Sequence, residues 1–324
     1  MDGEKRPRDG NEDAFGRTSR RAALGFIGAA GFAGLASTTA SANNGNGQSG
    51  GNGGENGTQA TADINVLENP NFITNAADEV PPFNDGTEIY DPGPVSIPLN
   101  EIIEENEEYD SALGRPLNDG KHQVVRPPED YDRDDGYVDS WEAVTWGEYS
   151  EVGGHAIVGG TNPNKGTRVN IKVEDGIPNG QYTIWVVKFA ALAEDSDLGP
   201  DDPFVTPRGN ALVGFHNLGQ KFGNDGESEN DFTVDENGNG EIHVFTEGGE
   251  LTGIPGFNEP GYPFIGDADD YEQDADRLSR IANDLREEDE IHFVGAYHYD
   301  DQTWGVYPGP WHVNHFSAVF AFDE

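Results

Sequence analysis

The chain has 324 residues, with 19 Lys and Arg against 61 Asp and Glu, a formal net charge of −42, no cysteine, and one methionine at position 1. The missing cysteines exclude a disulfide framework, a thiol nucleophile, an iron–sulfur cluster and any Cys-based zinc site. The charge excludes nucleic acid and anionic lipid as partners, because phosphate-bearing surfaces repel such a chain.

Residues 1–42 read as an export signal. Ser19-Arg20-Arg21-Ala22-Ala23-Leu24 resembles the twin-arginine export motif. The apolar stretch that follows, about Ala22 to Ala36, suits a signal h-region but is short for a membrane span. Four glycines in it (Gly25, Gly28, Gly31, Gly34) weaken any stable helix. Ala40-Ser41-Ala42 has the small-residue form of a cleavage site. The resemblance implies passage through the twin-arginine translocase, with Arg20 and Arg21 as the recognised pair. No later segment reaches about 18 apolar residues, so no transmembrane anchor is expected.

Removing residues 1–42 takes away six basic and five acidic residues and leaves 282 residues at a net charge of −43. Only five lysines remain: Lys121, Lys165, Lys172, Lys188 and Lys221. This balance resembles the proteins of extreme halophiles, chiefly haloarchaea. Molar salt screens carboxylate repulsion, and dense carboxylates keep the surface hydrated where salt promotes apolar association. The expected location is extracellular or at the cell surface.

Residues 43–61 form an Asn/Gly-rich linker, with an N-x-T sequon at Asn56-Gly57-Thr58. Residues 62–139 are rich in Pro and acid, with Pro81-Pro82, Pro92-Gly93-Pro94 and Pro127-Pro128 as punctuation. This predicts an irregular extended arm draped over the main domain. Residues 140–324 carry the strand patterns. Val169, Ile171 and Val173 alternate with polar neighbours, which predicts a half-buried strand. Tyr182 to Val187 is a β-branched and aromatic run, which predicts a strand buried on both faces. Ala211–Phe215 is another strand, and 231–234 and 241–245 predict a hairpin about Asp235–Gly240. Leu278, Ile281, Ala282 and Leu285 fall at helical spacing, predicting one amphipathic helix over 270–287, with the acids at 267–270 capping it. Ile291–Tyr299 and Val313–Phe322 close the domain. The fold class expected is all-β: an antiparallel Greek-key-like β-sandwich with one amphipathic helix before the last two strands.

Val169-x-Ile171-x-Val173 followed by Gly176-x-Pro178-x-Gly180 and a strand resembles the early strands of the copper–zinc superoxide dismutase-like Greek-key sandwiches. It is similar also to exported β-sandwich proteins without an assigned activity. The resemblance spans about Arg168 to Phe189 and implies a fold. It does not imply dismutase chemistry, because Ile184-Trp185-Val186-Val187 stands where that family has its His-x-His copper pair, and the paired cysteines are missing.

Five of the eight histidines lie after residue 240: His243, His292, His298, His312 and His315. His292 and His298 are six residues apart on one strand, roughly 20 Å, too far to share a metal. Pairing Tyr299 with Trp311 across an antiparallel hairpin places His298 opposite His312. A trio of His298, His312 and His315, with Asp300 or Asp301 nearby, is a candidate site for Cu²⁺ or Zn²⁺. Imidazoles packed among aromatic neighbours are the competing reading. Tyr297, Tyr299, Trp304, Tyr307 and Trp311 are candidates for a stacking platform for sugars, or for a cap on one end of the sandwich. Asp235-x-Asn237-x-Asn239-Gly240 matches the first half of an EF-hand loop, but Thr246 stands at the position of the bidentate acid. No H-E-x-x-H or Walker pattern occurs. The expectation is a binding or structural role at the cell exterior rather than catalysis, with cell-surface glycans or surface-layer proteins as partners. The alternatives are a His-dependent copper or zinc protein and a carbohydrate-processing enzyme.

Overall fold

The structure, a computed structural model, describes residues 59–68, 73–92, 121–128, 141–162, 166–200, 202, 205–218, 231–251, 268–299 and 312–322. The export signal with Arg20 and Arg21, the sequon at Asn56, Asp300 and Asp301, and Trp304, Tyr307 and Trp311 lie outside the described residues.

The elements run β1 (Ala60–Val66), β2 (Thr74–Asn75), β3 (Ile89–Asp91), β4 (His122–Gln123), β5 (Val125–Arg126), β6 (Glu142–Ala143), α1 (Trp146–Ser150), β7 (Gly153–Asn162), β8 (Gly166–Glu174), β9 (Gln181–Ala191), β10 (Asn210–Asn217), β11 (Asp231–Thr233), β12 (Gly240–Thr246), β13 (Gly249–Glu250), α2 (Ala275–Leu278), β14 (Arg280–Ile281), β15 (Glu290–His298) and β16 (His312–Ala321). Nine of these strands make one curled antiparallel sheet in the order β10-β9-β15-β16-β1-β7-β8-β12, with β11 beside β9. The class is all-β and sandwich-like, as the patterns predict.

β1 turns the corner. Its first half, Ala60 to Asp63, pairs with β7, and its second half, Ile64 to Val66, pairs with β16. A strand that changes partners midway lets one sheet fold into two layers. This corrects the sequence-based boundaries. Residues 60–66 are neither linker nor arm but the seam of the sandwich. The alternating burial of β1 carries the signal, but a seven-residue strand between two low-complexity segments is easy to miss.

Register assigns the side chains to two faces. One face is apolar across both layers: Ile242, Ile171, Ala156 and Ala62 line up in one half, Ile64, Ala318, Phe293 and Val186 in the other. All eight are buried. Gly295 leaves room on this face for the Phe316 ring, since a Cβ there would lie 2.1 Å from ring carbon Cζ. β9, β15 and β16 are buried on both faces over almost their whole length, so the layer they form is covered on each side.

The described parts of the 62–139 segment pack against the strand ends. β2, β3 and β4 form a small sheet, and β5 pairs with β6. Tyr297 donates its hydroxyl to the Val125 carbonyl (2.7 Å), and Tyr299 donates to Asp91 Oδ2 (2.6 Å). α1 begins at a capping box: Thr145 Oγ1 accepts from the Glu148 N–H, and the Glu148 carboxylate accepts from the Thr145 N–H.

Two further expectations are corrected. The turn at Asp235–Gly240 does not join two strands of one ladder: β11 pairs with β9, while β12 pairs with β8, so the turn crosses between layers. Asp235 Oδ1 is occupied by the backbone N–H groups of Asn237 and Asn239, which makes this an Asx turn rather than half of a calcium loop. The element before the last two strands is not one helix over 270–287. It is a 3₁₀ turn at Ala268–Asp270, the four-residue α2, the short β14 and a second 3₁₀ turn at Leu285–Glu287. Side chains from elsewhere take the N–H groups that a helix would use: Glu288 accepts from Ala282, and Thr167 Oγ1 accepts from Leu285 at 3.0 Å. Leu278, Ile281 and Leu285 are buried all the same, so successive turns reproduce a helical apolar spacing. Asp274, not the acids at 267–270, stands at the helix start.

Candidate functional site

β15 and β16 carry the candidate histidines, and the face they share with β9 opposite the apolar one is different in composition. Reading across the three strands in register, one row is Gln181, His298, His312, and the next is Thr183, Ala296, Asn314. Then come Trp185, Val294, Ser317; Val187, His292, Val319; and Phe189, Glu290, Ala321. A line of polar groups thus runs along one face of strands whose other face is Tyr182, Ile184, Val186, Tyr297, Phe293 and Phe316.

The expected opposition of His298 and His312 is present. The two are directly paired, their rings lie 6.1 Å apart between centroids, and both are buried. His298 Nε2 is 2.8 Å from Thr183 Oγ1, which sets the ring over the β9 side of the row. Two imidazoles on one tetrahedral ion have centroids roughly 5 Å apart, from metal–nitrogen distances near 2 Å.

His315 does not join them. The pairing of Ala296 with Asn314 and of Gly295 with Phe316 leaves His315 as an extra residue in a β-bulge. The bulge directs it to the apolar face, where its Nδ1 lies 2.9 Å from the Tyr182 hydroxyl and its Nε2 lies 2.6 Å from the Tyr149 carbonyl. A carbonyl only accepts, so the ring proton sits on Nε2 and Nδ1 accepts from Tyr182. Burial pushes the His315 imidazole down to about 4, against a smaller opposing effect of the Tyr149 bond. The three-histidine site is therefore corrected to a pair. Among the described residues, no group of three or more His, Asp and Glu side chains is arranged to hold a metal ion.

Tyr297 and Tyr299 are also corrected as an exposed platform. Both are fully buried, and their hydroxyls hold the arm. A tyrosine at the end of a buried strand places its ring in the core and its hydroxyl on the nearest unpaired backbone or carboxylate acceptor.

A second polar cluster lies further along the same face. Glu290 Oε1 accepts from His292 Nε2 at 2.7 Å, and Glu290 Oε2 accepts from Thr206 Oγ1 (2.9 Å) and Asn210 Nδ2 (2.8 Å). Three donors and no acceptor identify an ionised carboxylate. Burial pushes its pKa up, but the hydrogen bond and charge of His292, with Asn210 and Thr206, outweigh burial and lower it. His292 packs against Phe189 with ring centroids 4.4 Å apart. Sequence reasoning used His292 only to measure its distance from His298. The missed signal is the Glu290-x-His292 spacing, which on a strand puts both side chains on one face.

No helix among the described residues is long and apolar enough to cross a membrane. Comparison of the chain with protein-family models, with curated proteins and with solved structures gives no match.

Proposed function

We propose that this chain is an exported, salt-adapted β-sandwich protein with a binding role at the cell exterior, its ligand surface on the polar face of β9, β15 and β16. The observation that carries the reading is the contrast within three strands: one face is apolar, while the other aligns Gln181, Thr183, His298, His312, Asn314, Ser317, His292 and Glu290. A face used only for packing gains nothing from so many buried polar groups, each of which has to recover the hydrogen bonds it had with water. The acid-rich composition and the signal-like residues 1–42 support the location. The partners this implies are glycans or surface-layer proteins.

The test is co-sedimentation with isolated cell envelopes in molar salt. The protein is expected in the pellet, and His298→Ala/His312→Ala in the supernatant. Wild-type protein that stays in the supernatant would remove the cell-surface reading.

The pairing of His298 with His312 at 6.1 Å favours a second reading, a copper or zinc centre at that pair. Elemental analysis of untagged protein purified in molar salt decides it. A near-stoichiometric metal content, lost in His298→Ala/His312→Ala, would establish the centre. Absence of both metals would leave the pair to hydrogen bonding and packing.

A further inference from the structure

A pocket of about 660 Å³ opens beside the β13–β14 ladder and α2, and all the residues that line it are described. Its volume is in the range that small ligands fill. It lies on the Lys188 side of the sheet, across from Glu290 and His292, because Lys188 pairs with Ile291 and points the other way. Arg277 and Arg280 line it, with Gly248, Asn283, Asp276 and Glu287. The backbone under the two arginines is held from below. The Lys188 ammonium donates to the Arg277 and Arg280 carbonyls at 2.6 and 3.0 Å, and its ion-pair partner Glu288 accepts from the Ala282 N–H. A buried ion pair often stabilises no more than apolar residues of the same volume. Here it also sets where Arg277 and Arg280 leave the chain.

The donors on the walls are oriented as well. Arg277 Nη2 donates to the Glu287 carbonyl at 2.9 Å, which fixes the guanidinium and leaves its other donors open. Asn283 Oδ1 accepts from the Gly248 N–H at 2.9 Å, so the amide NH₂ is left to donate. This contact requires glycine at 248, since a Cβ there would stand 2.5 Å from Asn283 Oδ1. In a chain with 61 acids against 19 bases a cation meets a carboxylate by default, and Lys121, Arg126, Lys172, Lys188 and Arg286 are all ion-paired. Among the described residues the exposed Arg277 and Arg280 form no ion pair, although Asp276 and Glu287 line the same pocket.

We propose that this pocket binds a small hydroxylated carboxylate, a sugar acid. Arg277 and Arg280 hold the carboxylate, the Asn283 amide donates to a ligand oxygen, and Asp276 and Glu287 accept from ligand hydroxyls. At about 1 M salt the Debye length is near 3 Å, so the net charge of the chain does not repel an anion here and direct contacts decide. A guanidinium matches a planar carboxylate with two parallel N–H bonds, which a spherical chloride cannot accept in the same way. Asp276 and Glu287 make a doubly charged anion such as sulfate a poorer fit. A neutral sugar leaves both guanidinium groups without a countercharge.

¹H–¹⁵N correlation spectra of the protein in molar sodium chloride report the arginine Nε–H and asparagine NH₂ groups one by one. Sodium D-glucuronate, raised to about 0.05 M to reach millimolar-range affinities, is expected to move the Arg277, Arg280 and Asn283 side-chain resonances saturably. D-glucose is expected to move none of them, and sodium sulfate to bind about tenfold more weakly than glucuronate. Arg280→Gln, at an exposed position, is expected to keep the melting temperature. It should weaken glucuronate binding about tenfold, the worth of a charge-assisted hydrogen bond. Absence of a saturable glucuronate shift overturns the proposal. So does an equal response to D-glucose, which would remove the carboxylate from recognition, or to sulfate, which would make the pocket an unselective anion patch. The wild-type titration decides without any variant. The pocket lies apart from the polar face of β9, β15 and β16, so failure of the envelope experiment leaves it untouched.

Discussion

The two faces of β9, β15 and β16 share one backbone and do different work. The apolar face carries stability: Ile184, Val186, Phe293, Phe316 and Phe320 are essentially removed from water. Its few polar members, Lys188 and the Tyr182–His315 pair, are held by named partners. The opposite face interleaves apolar residues with histidines, a serine, a threonine and a glutamate, and Gln181 Oε1, His292 Nδ1 and Ser317 Oγ are buried there without a hydrogen-bond partner. A sheet that only needs to fold makes both faces like the first. The comparison teaches that burial alone does not set the composition of a strand face.

The largest expected effect lies on the apolar face. Lys188 and Glu288 are each 1% exposed at the side chain and ion-paired at 2.8 Å, with the Lys188 ammonium also donating to the Arg277 and Arg280 carbonyls. Burial holds the Lys188 pKa below its usual range, against the pull of Glu288. Glu288→Ala strands a buried cation and is expected to cost about 4 kcal/mol in denaturant titrations run in molar salt. Lys188→Met/Glu288→Leu is expected to recover most of that loss.

Acid comes next. The His315 imidazole titrates near 4 in the fold and near 6.5 when exposed. The unfolded chain therefore takes up the proton first as pH falls. Stability is level above about 6.5, declines from there to about 4, and loses about 3 kcal/mol in all. Glu290, whose pKa is lowered in the fold, adds a further loss as pH drops below the ordinary glutamate range and through its folded value. Stability measured against pH in wild type and His315→Gln separates the two, since the variant should lose only the lower step.

Gly295→Ala places a methyl group against the Phe316 ring. The expected cost is about 2 kcal/mol from overpacking, relieved in part by Phe316→Leu. The smallest effect is expected on the polar face. Thr183→Val removes one hydrogen bond to His298 and should cost about 1 kcal/mol, while weakening envelope binding more than it lowers the melting temperature. A stability cost on this face equal to that of Glu288→Ala would end the division between the faces.

Much of the architecture was legible without coordinates. The alternation at Val169–Val173, the continuous run at Tyr182–Val187 and the two closing strands each state a period and a burial, because side chains alternate strictly along a strand. Even the pairing of His298 with His312 was accessible, since the loop between two antiparallel strands sets the register at its base. Local sequence could not announce the bulge at His315, which depends on how Phe316 settles over Gly295 and turns a three-histidine pattern into a pair. The breaking of the expected helix depends likewise on Thr167 and Glu288, distant or unforeseen acceptors that outbid the i−4 carbonyls. The role of β1 as a seam needs two partners, β7 and β16, far from it in sequence. What periodicity and composition express is local, and so the chain alone determined its strands, its charge and its class. Which polar groups meet, and which are left open on the face of the sheet, was decided only when strands distant in sequence came into register.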